Sequence, residues 1–562
     1  MSMNGRGLLR RMTVCLLCVC LQICAICAAQ TSSSAPAEDL SVTPTKIAGT
    51  LVNSITGMPL AQARVSITET RNRANSRWMI TKEDGRFEFD QLPAGKYSLQ
   101  GAKRGYLPAA YEQHEQFSTA IVTGTEFDAT KLVLRLTPMA SIEGKVVDEG
   151  ADPVRGGRVI LYRENHGAGI TRITPIDRGV TNDLGMFEFA PLAPGRYFVS
   201  VSAKPWYAVH PVIDSVDSTS TTIQTIDRSL DVAYPTTYSG GATEADGAAS
   251  LELKGGDHTD LEIRLFPVPS LHLIYRIPDD DGQHGFAPPI LEKRVFDSSE
   301  VVNAVEVRGV SKGVYELTGV TAGTYSVRMR DMGSQQVAHT SELDLRTDGQ
   351  ELDTARGEPE ATLKLTVQMP QQEAIPKGMR IMLLDKRGRN RAFQELDAKG
   401  EATIEFLPAG KYSIVIYSPG KPYSVLRTSS DAVQTAGHDV SLPPGASLAL
   451  TAVLAAGNAN IEGFVKRGGK AASGVMLVLI PKESSAREEL FRRDQSDSDG
   501  SFSLRGVIPG DYTLVAIEDA WGFDWSKPDP LARYALHGQP VTIPDGVQTT
   551  IQLPEPIEVQ QR

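Results

Sequence analysis

The residues of this 562-residue chain best suited to chemistry are its histidines, and their spacing argues against a catalytic or metal centre. They stand at His114, His166, His210, His258, His272, His284, His339, His438 and His537, and none is paired with another ligand at a zinc spacing. His114-Glu115-Gln116-Phe117 comes nearest, with the wrong fourth residue. There is no Gly-x-Ser-x-Gly elbow and no phosphate-cradling glycine loop. No catalytic residue, metal ligand or cofactor is therefore expected. Asp494, Asp497 and Asp499 precede Gly500 in an oxygen-rich loop of a kind that can hold calcium. The rest of an EF-hand loop is missing, so a solvated hairpin turn is the stronger reading. The candidate ligand contacts are instead aromatic. Trp206 and Tyr207 lie in one segment, Trp521 and Trp525 in another, and sugar rings stack on exposed aromatic faces. The competing role for these rings, and the favoured one, is to cap the open end of a core.

Both aromatic segments follow the same signature. Five times a glycine is followed ten residues later by a second glycine and two residues after that by a tyrosine: Gly85/Gly95/Tyr97, Gly185/Gly195/Tyr197, Gly313/Gly323/Tyr325, Gly400/Gly410/Tyr412 and Gly500/Gly510/Tyr512. Apolar residues alternate in between, as in Phe87 and Phe89 or Phe502 and Leu504, which places them on the buried face of a strand. The first glycine suits a tight turn, the second is expected to supply a left-handed residue, and the tyrosine is expected to be a core residue whose hydroxyl reaches the backbone. An edge-like opening strand (Ile47-Ala48-Gly49, Ile142-Glu143-Gly144, Ile461-Glu462-Gly463) and an alternating closing strand (Leu132 to Leu136, Leu261 to Leu265) frame each copy. Tyrosine spacings of 100, 128, 87 and 100 residues suit β-sandwiches of roughly one hundred residues. The third and fourth copies are degenerate; the fourth has Ala402 where others carry an aromatic ring.

The pattern across residues 46–107, 141–206 and 459–520, with its Asp-Gly-x-Phe and Leu-Pro-x-Gly-x-Tyr cores, resembles the carboxypeptidase regulatory-like domain. That resemblance implies an all-β, tandem array of prealbumin/transthyretin-like Greek-key sandwiches, grouped with carbohydrate-binding-like folds. It also implies an accessory, non-catalytic role in a secreted protein. The expected division is a signal peptide at 1–29, a disordered linker at 30–45, and modules at 46–138, 139–267, 268–359, 360–456 and 457–556. A tail at 557–562 completes it. The Ser215 to Thr225 stretch reads as a surface insertion in the second module.

Arg6, Arg10 and Arg11 before an apolar run from about Val14 to Ile26 read as a secretory signal, too short to span a membrane. Sec and twin-arginine export both stay open, and a lipoprotein is the weaker reading because Cys24-Ala25-Ile26-Cys27 is a poor lipobox. All five cysteines lie in this segment, so disulfides are not expected in the mature chain. Net charge is −11, and −14 once the three signal arginines are set aside, which disfavours nucleic acid as a partner. The expectation is a secreted or periplasmic, non-enzymatic protein without a mature transmembrane segment. It would bind a polysaccharide or another envelope ligand, or alternatively act as a structural or adhesive spacer.

Overall fold

Alternating apolar residues bounded by turn glycines form strands almost throughout. The computed structural model describes residues 45–562 apart from 167–168, 211–226, 277–287, 303–304, 312, 331–337, 353–357, 387, 389, 431–433, 483–486, 526–527 and 547–548. The N-terminal segment read as a signal peptide, with its cysteines, and the Ser215 to Thr225 stretch read as an insertion lie outside the described residues.

The strands build five sandwich cores in chain order. The first gathers Ile47 to Leu136 and the second Ala140 to Leu265; the third gathers Leu271 to Leu352, the fourth Ala361 to Ala456, and the fifth Ala455 to Ile557. Each core repeats one pairing scheme. In the first, strand Thr45–Asn53 lies antiparallel to the signature strand Arg86–Leu92 and parallel to the closing strand Leu132–Pro138. A second sheet, built on Arg64–Glu69 between Ser76–Ile80 and Lys96–Ala102, packs across it. The opening strand is therefore central rather than the edge strand expected from sequence. Its parallel partner, some eighty residues away in sequence, covers the side that would otherwise be free.

The parallel neighbour explains the glycine of the opening strand. A Cβ on Gly49 would sit 2.1 Å from the Leu132 carbonyl oxygen and 2.8 Å from the Phe87 ring. On Gly144 it would sit 2.2 Å from the Phe187 ring. The aromatic side chain of the signature strand fills the space that glycine leaves. In the fourth module the exchange is reversed: Leu365 pairs with Ala402, and both are buried. In the third, Tyr275 stacks on Tyr315 with ring centroids 5.3 Å apart. The fourth copy thus keeps the summed volume of its facing pair, as a close-packed core favours, while the third fills the place with two stacked rings.

The five signature tyrosines are all buried, and each donates its hydroxyl to the backbone carbonyl four residues upstream at 2.5–2.9 Å (Pro93, Ala193, Thr321, Pro408 and Ile508). The first signature glycines take φ between +67° and +80°. The second do not uniformly supply the left-handed residue: Gly95 and Gly410 have no positive φ. That conformation falls six residues before the tyrosine, at Gln91, Gly319, Phe406 and Gly506, where the strand bulges against the opening strand. In the second module this place holds Pro191.

Two further segments depart from expectation. Residues assigned to a C-terminal tail form strand Ile557–Gln560, which pairs in parallel with both Ala459–Arg467 and Gly510–Ile517. Pro528–Ala535, within the fifth module, is an α-helix that buries Leu531 and Tyr534 against the outer face of the sheet.

Candidate functional site

The loop after each Gly-x-Tyr strand carries the aromatic candidates, and the structure places them in two settings. In the second module, strand Gly195–Ser202 runs out into a loop that begins with Ala203. Trp206 stands on it with 86% of its surface exposed. Its neighbour Tyr207 meets it edge-on, ring centroids 5.8 Å apart at 89°. Tyr207 donates its hydroxyl to Glu149, whose other oxygen accepts from the buried Tyr234 at 2.9 Å. Burial works to raise the Glu149 pKa, but the two phenol donors hold it below the usual carboxylate range. Partial desolvation and that carboxylate push Tyr207 up to about 12. The phenol is thus a fixed donor at neutral pH, and the indole beside it has a free face.

In the fifth module the corresponding rings are covered. Trp521 stacks on His114 of the first module at 4.7 Å and 3° between planes, with Phe117 5.9 Å away. Trp525 is 8% exposed, packed on Phe491, with the Arg493 guanidinium 4.1 Å from its ring centroid. Sugar stacking needs an open face, so Trp525 does not serve as a platform here. Trp521 belongs to the contact between the first and fifth modules, and Trp525 packs within the fifth, beneath the Arg493 that reaches across.

That contact is polar, and buried mainly on the side of the fifth module. Arg493 donates to Glu115 at 2.6 Å and lies over Phe117. Gln495 donates to the Glu112 carbonyl at 2.6 Å and to Thr119 at 2.8 Å. The Asp-rich loop follows immediately. Asp497 accepts the Ala120 amide at 2.8 Å and pairs with Lys96; Ser498 bonds both the Ala120 carbonyl and the Val122 amide. Asp494 accepts the Ser503 amide at 2.7 Å and Asp499 the Ser501 amide at 2.9 Å. The turn at Gly500 forms as expected, but it is not solvated: Gln495, Ser496, Asp497 and Ser498 are buried, and burial pushes Asp494 up to about 6. Carboxylates spent on lysine and amides within the chain are poorly disposed to converge on calcium.

One constellation was hidden by sequence separation. His210 lies four residues beyond Trp206, Asp231 follows the short turn Arg228–Leu230, and His272 and Glu316 lie on strands Leu271–Arg276 and Val314–Val320 of the third module. His210 Nδ1 donates to Asp231 at 2.8 Å, and His272 contacts the other Asp231 oxygen through Nε2 at 2.7 Å. His272 Nδ1 meets Glu316 at 2.7 Å. No local motif could have signalled a group whose members are twenty or more residues apart.

The fold and these module ends define a tandem β-sandwich protein. The family model of the carboxypeptidase regulatory-like domain matches residues 46–131, and that of the "BOS complex subunit NOMO1-like, second beta sandwich domain" matches residues 459–529. The first and fifth modules are thus similar to those domains. Among solved structures, the Bacillus anthracis TIE protein is 12% identical, with 73% of this chain and 68% of that one covered and a TM-score of 0.16. The streptococcal ancillary pilin is 13% identical over 50% of this chain and 98% of its own, at a TM-score of 0.19. Two B repeat units of the Staphylococcus aureus collagen binding protein are 13% identical over 73% and 99%, at 0.12. No curated protein matches the chain. Among the described residues, no helix is long and apolar enough to cross a membrane.

Proposed function

We propose that this chain is an exported, non-catalytic scaffold that holds binding surfaces of the cell envelope in fixed relation, a structural or adhesive role. The observation that carries this reading is the grip of the fifth module on the first. A buried arginine held by a glutamate of the first module, beside a run of buried polar residues, makes no sense in a string of independently moving beads, because such groups are costly unless their partners stay in place. Small-angle scattering and limited proteolysis of the mature protein test it. A scaffold gives a single rigid particle resistant near residues 110–125. Freely jointed modules, or cleavage there as fast as in a linker, refute the reading.

A second reading, polysaccharide binding, is favoured by one observation: Trp206 offers an open indole face beside a tyrosine held in place by Glu149. A single stacked ring makes a weak site, so binding would show on polymers rather than on short sugars. Pull-downs on insoluble polysaccharides compare the unaltered protein with Trp206→Ala. Retention lost in the variant supports the reading, whereas equal retention, or none in either protein, removes it.

A further inference from the structure

The loop that presents Trp206 leads to His210, and there the chain assembles a group with the chemistry of a metal site. We propose that His210, Asp231 and His272 bind a divalent transition metal of the zinc class, and that the ion fastens the second module to the third.

The donor set comes first. The ligand atoms of the three residues all lie within 4.8 Å of one another. Zinc holds nitrogen and oxygen ligands at about 2.0–2.2 Å, so inward movements of roughly an ångström or less would bring them into a coordination shell. Two imidazoles and one carboxylate select a borderline ion such as zinc; calcium and magnesium take oxygen ligands instead. The second oxygen of Asp231, or a water, would complete four-coordination.

The surroundings fit the same ion. His272 is 2% exposed, His210 is also buried, and Glu316 is 0% exposed. Glu316 accepts from His272 Nδ1 through one oxygen, and its other oxygen has no hydrogen-bond partner. A carboxylate behind a ligating histidine fixes the ring and raises its basicity, a recurrent device at protein zinc sites. A metal ion at Nε2 would leave the Nδ1 contact with Glu316 intact, and its two charges would face the Asp231 and Glu316 carboxylates.

The backbones carrying the ligands are pinned as well. Arg308 donates to the His210 carbonyl at 2.7 Å, the Ser270 amide to the Asp231 carbonyl at 3.0 Å, and the His272 amide to Asp348 at 2.8 Å. His210 and Asp231 come from the segment after the second module's tyrosine strand, His272 from the first strand of the third. The ion would therefore span the junction that also positions Trp206.

The experiment uses the full mature protein, stripped with a chelator and titrated with zinc chloride alone, read by calorimetry and by melting temperature. One zinc per chain is expected, with a melting temperature several degrees higher and no such response to calcium. His210→Ala removes a ligand at the loop end and should abolish the response, with the circular dichroism spectrum unchanged. His272→Gln tests the second imidazole; if it fails to fold, His210→Ala alone decides. Absence of zinc binding in the unaltered protein, or undiminished binding in His210→Ala, overturns the proposal.

Discussion

Trp206 and Trp521 occupy the same place in the repeat, nine residues after the signature tyrosine, yet one ring is exposed and the other is stacked on His114. The first module holds Tyr106 at that place, half-buried and hydrogen-bonded to Asn53. In three of the five copies the repeat therefore delivers an aromatic side chain to one end of the sandwich, the third and fourth having Ser334 and Lys421 at that sequence position, and the surroundings decide what becomes of it. Where another module docks, the ring joins an interface. Where none covers it, the ring is left to meet solvent or ligand. A sequence motif locates such a residue without assigning its role.

The comparison is sharpest at the buried rings. Trp525→Ala should destabilise the fifth module by about 3–5 kcal/mol, since it empties a packed site, whereas Trp206→Ala should stay within about 0.5 kcal/mol. Thermal unfolding of the two variants reads the difference directly, and equal effects would erase the distinction between cap and surface ring. Arg493→Met removes the partner of the partly exposed Glu115 and the cation over Phe117, and should weaken docking by about 2 kcal/mol. A red shift of tryptophan emission and new proteolytic cuts near residues 110–125 would report it.

Tyr197→Phe deletes one hydroxyl bond to Ala193 and leaves the ring, so a loss of about 1 kcal/mol in the second module is expected in denaturant titration. The smallest effect concerns pH. Burial raises Asp494 above its unfolded value to about 6, so the folded protein holds this proton more tightly than the unfolded chain does. Its contribution favours folding below the unfolded value and is lost as pH rises through about 6. Asp494→Asn should flatten that slope and stabilise the fifth module by about 1 kcal/mol at pH 8, seen as a shift in melting temperature between pH 5 and pH 8.

What could be read from sequence was what repeats locally. The alternation of Phe87 and Phe89, the turn glycines and the tyrosine hydroxyl bond all lie within one turn-and-strand signature. Contacts between distant segments were not legible. Gly49 looked like part of an edge because its parallel partner Leu132 lies far along the chain. Asp497 looked solvated because Lys96 and Ala120 belong to another module. Strand Ile557–Gln560 is too short and polar to announce itself, and helix Pro528–Ala535 carries two prolines within its first turn that read as loop. His210, Asp231 and His272 converge only after two modules have folded against each other.

The contact between the first and fifth modules is the point on which the scaffold reading turns. Zero-length carbodiimide coupling of the unaltered protein, followed by peptide mass spectrometry of the monomer, interrogates it without any substitution. Lys96 and Asp497 touch across that contact and should be recovered as one covalent pair, absent in Lys96→Gln. Couplings confined to residues within single modules, with none joining the first to the fifth, would contradict a chain whose last module grips its first.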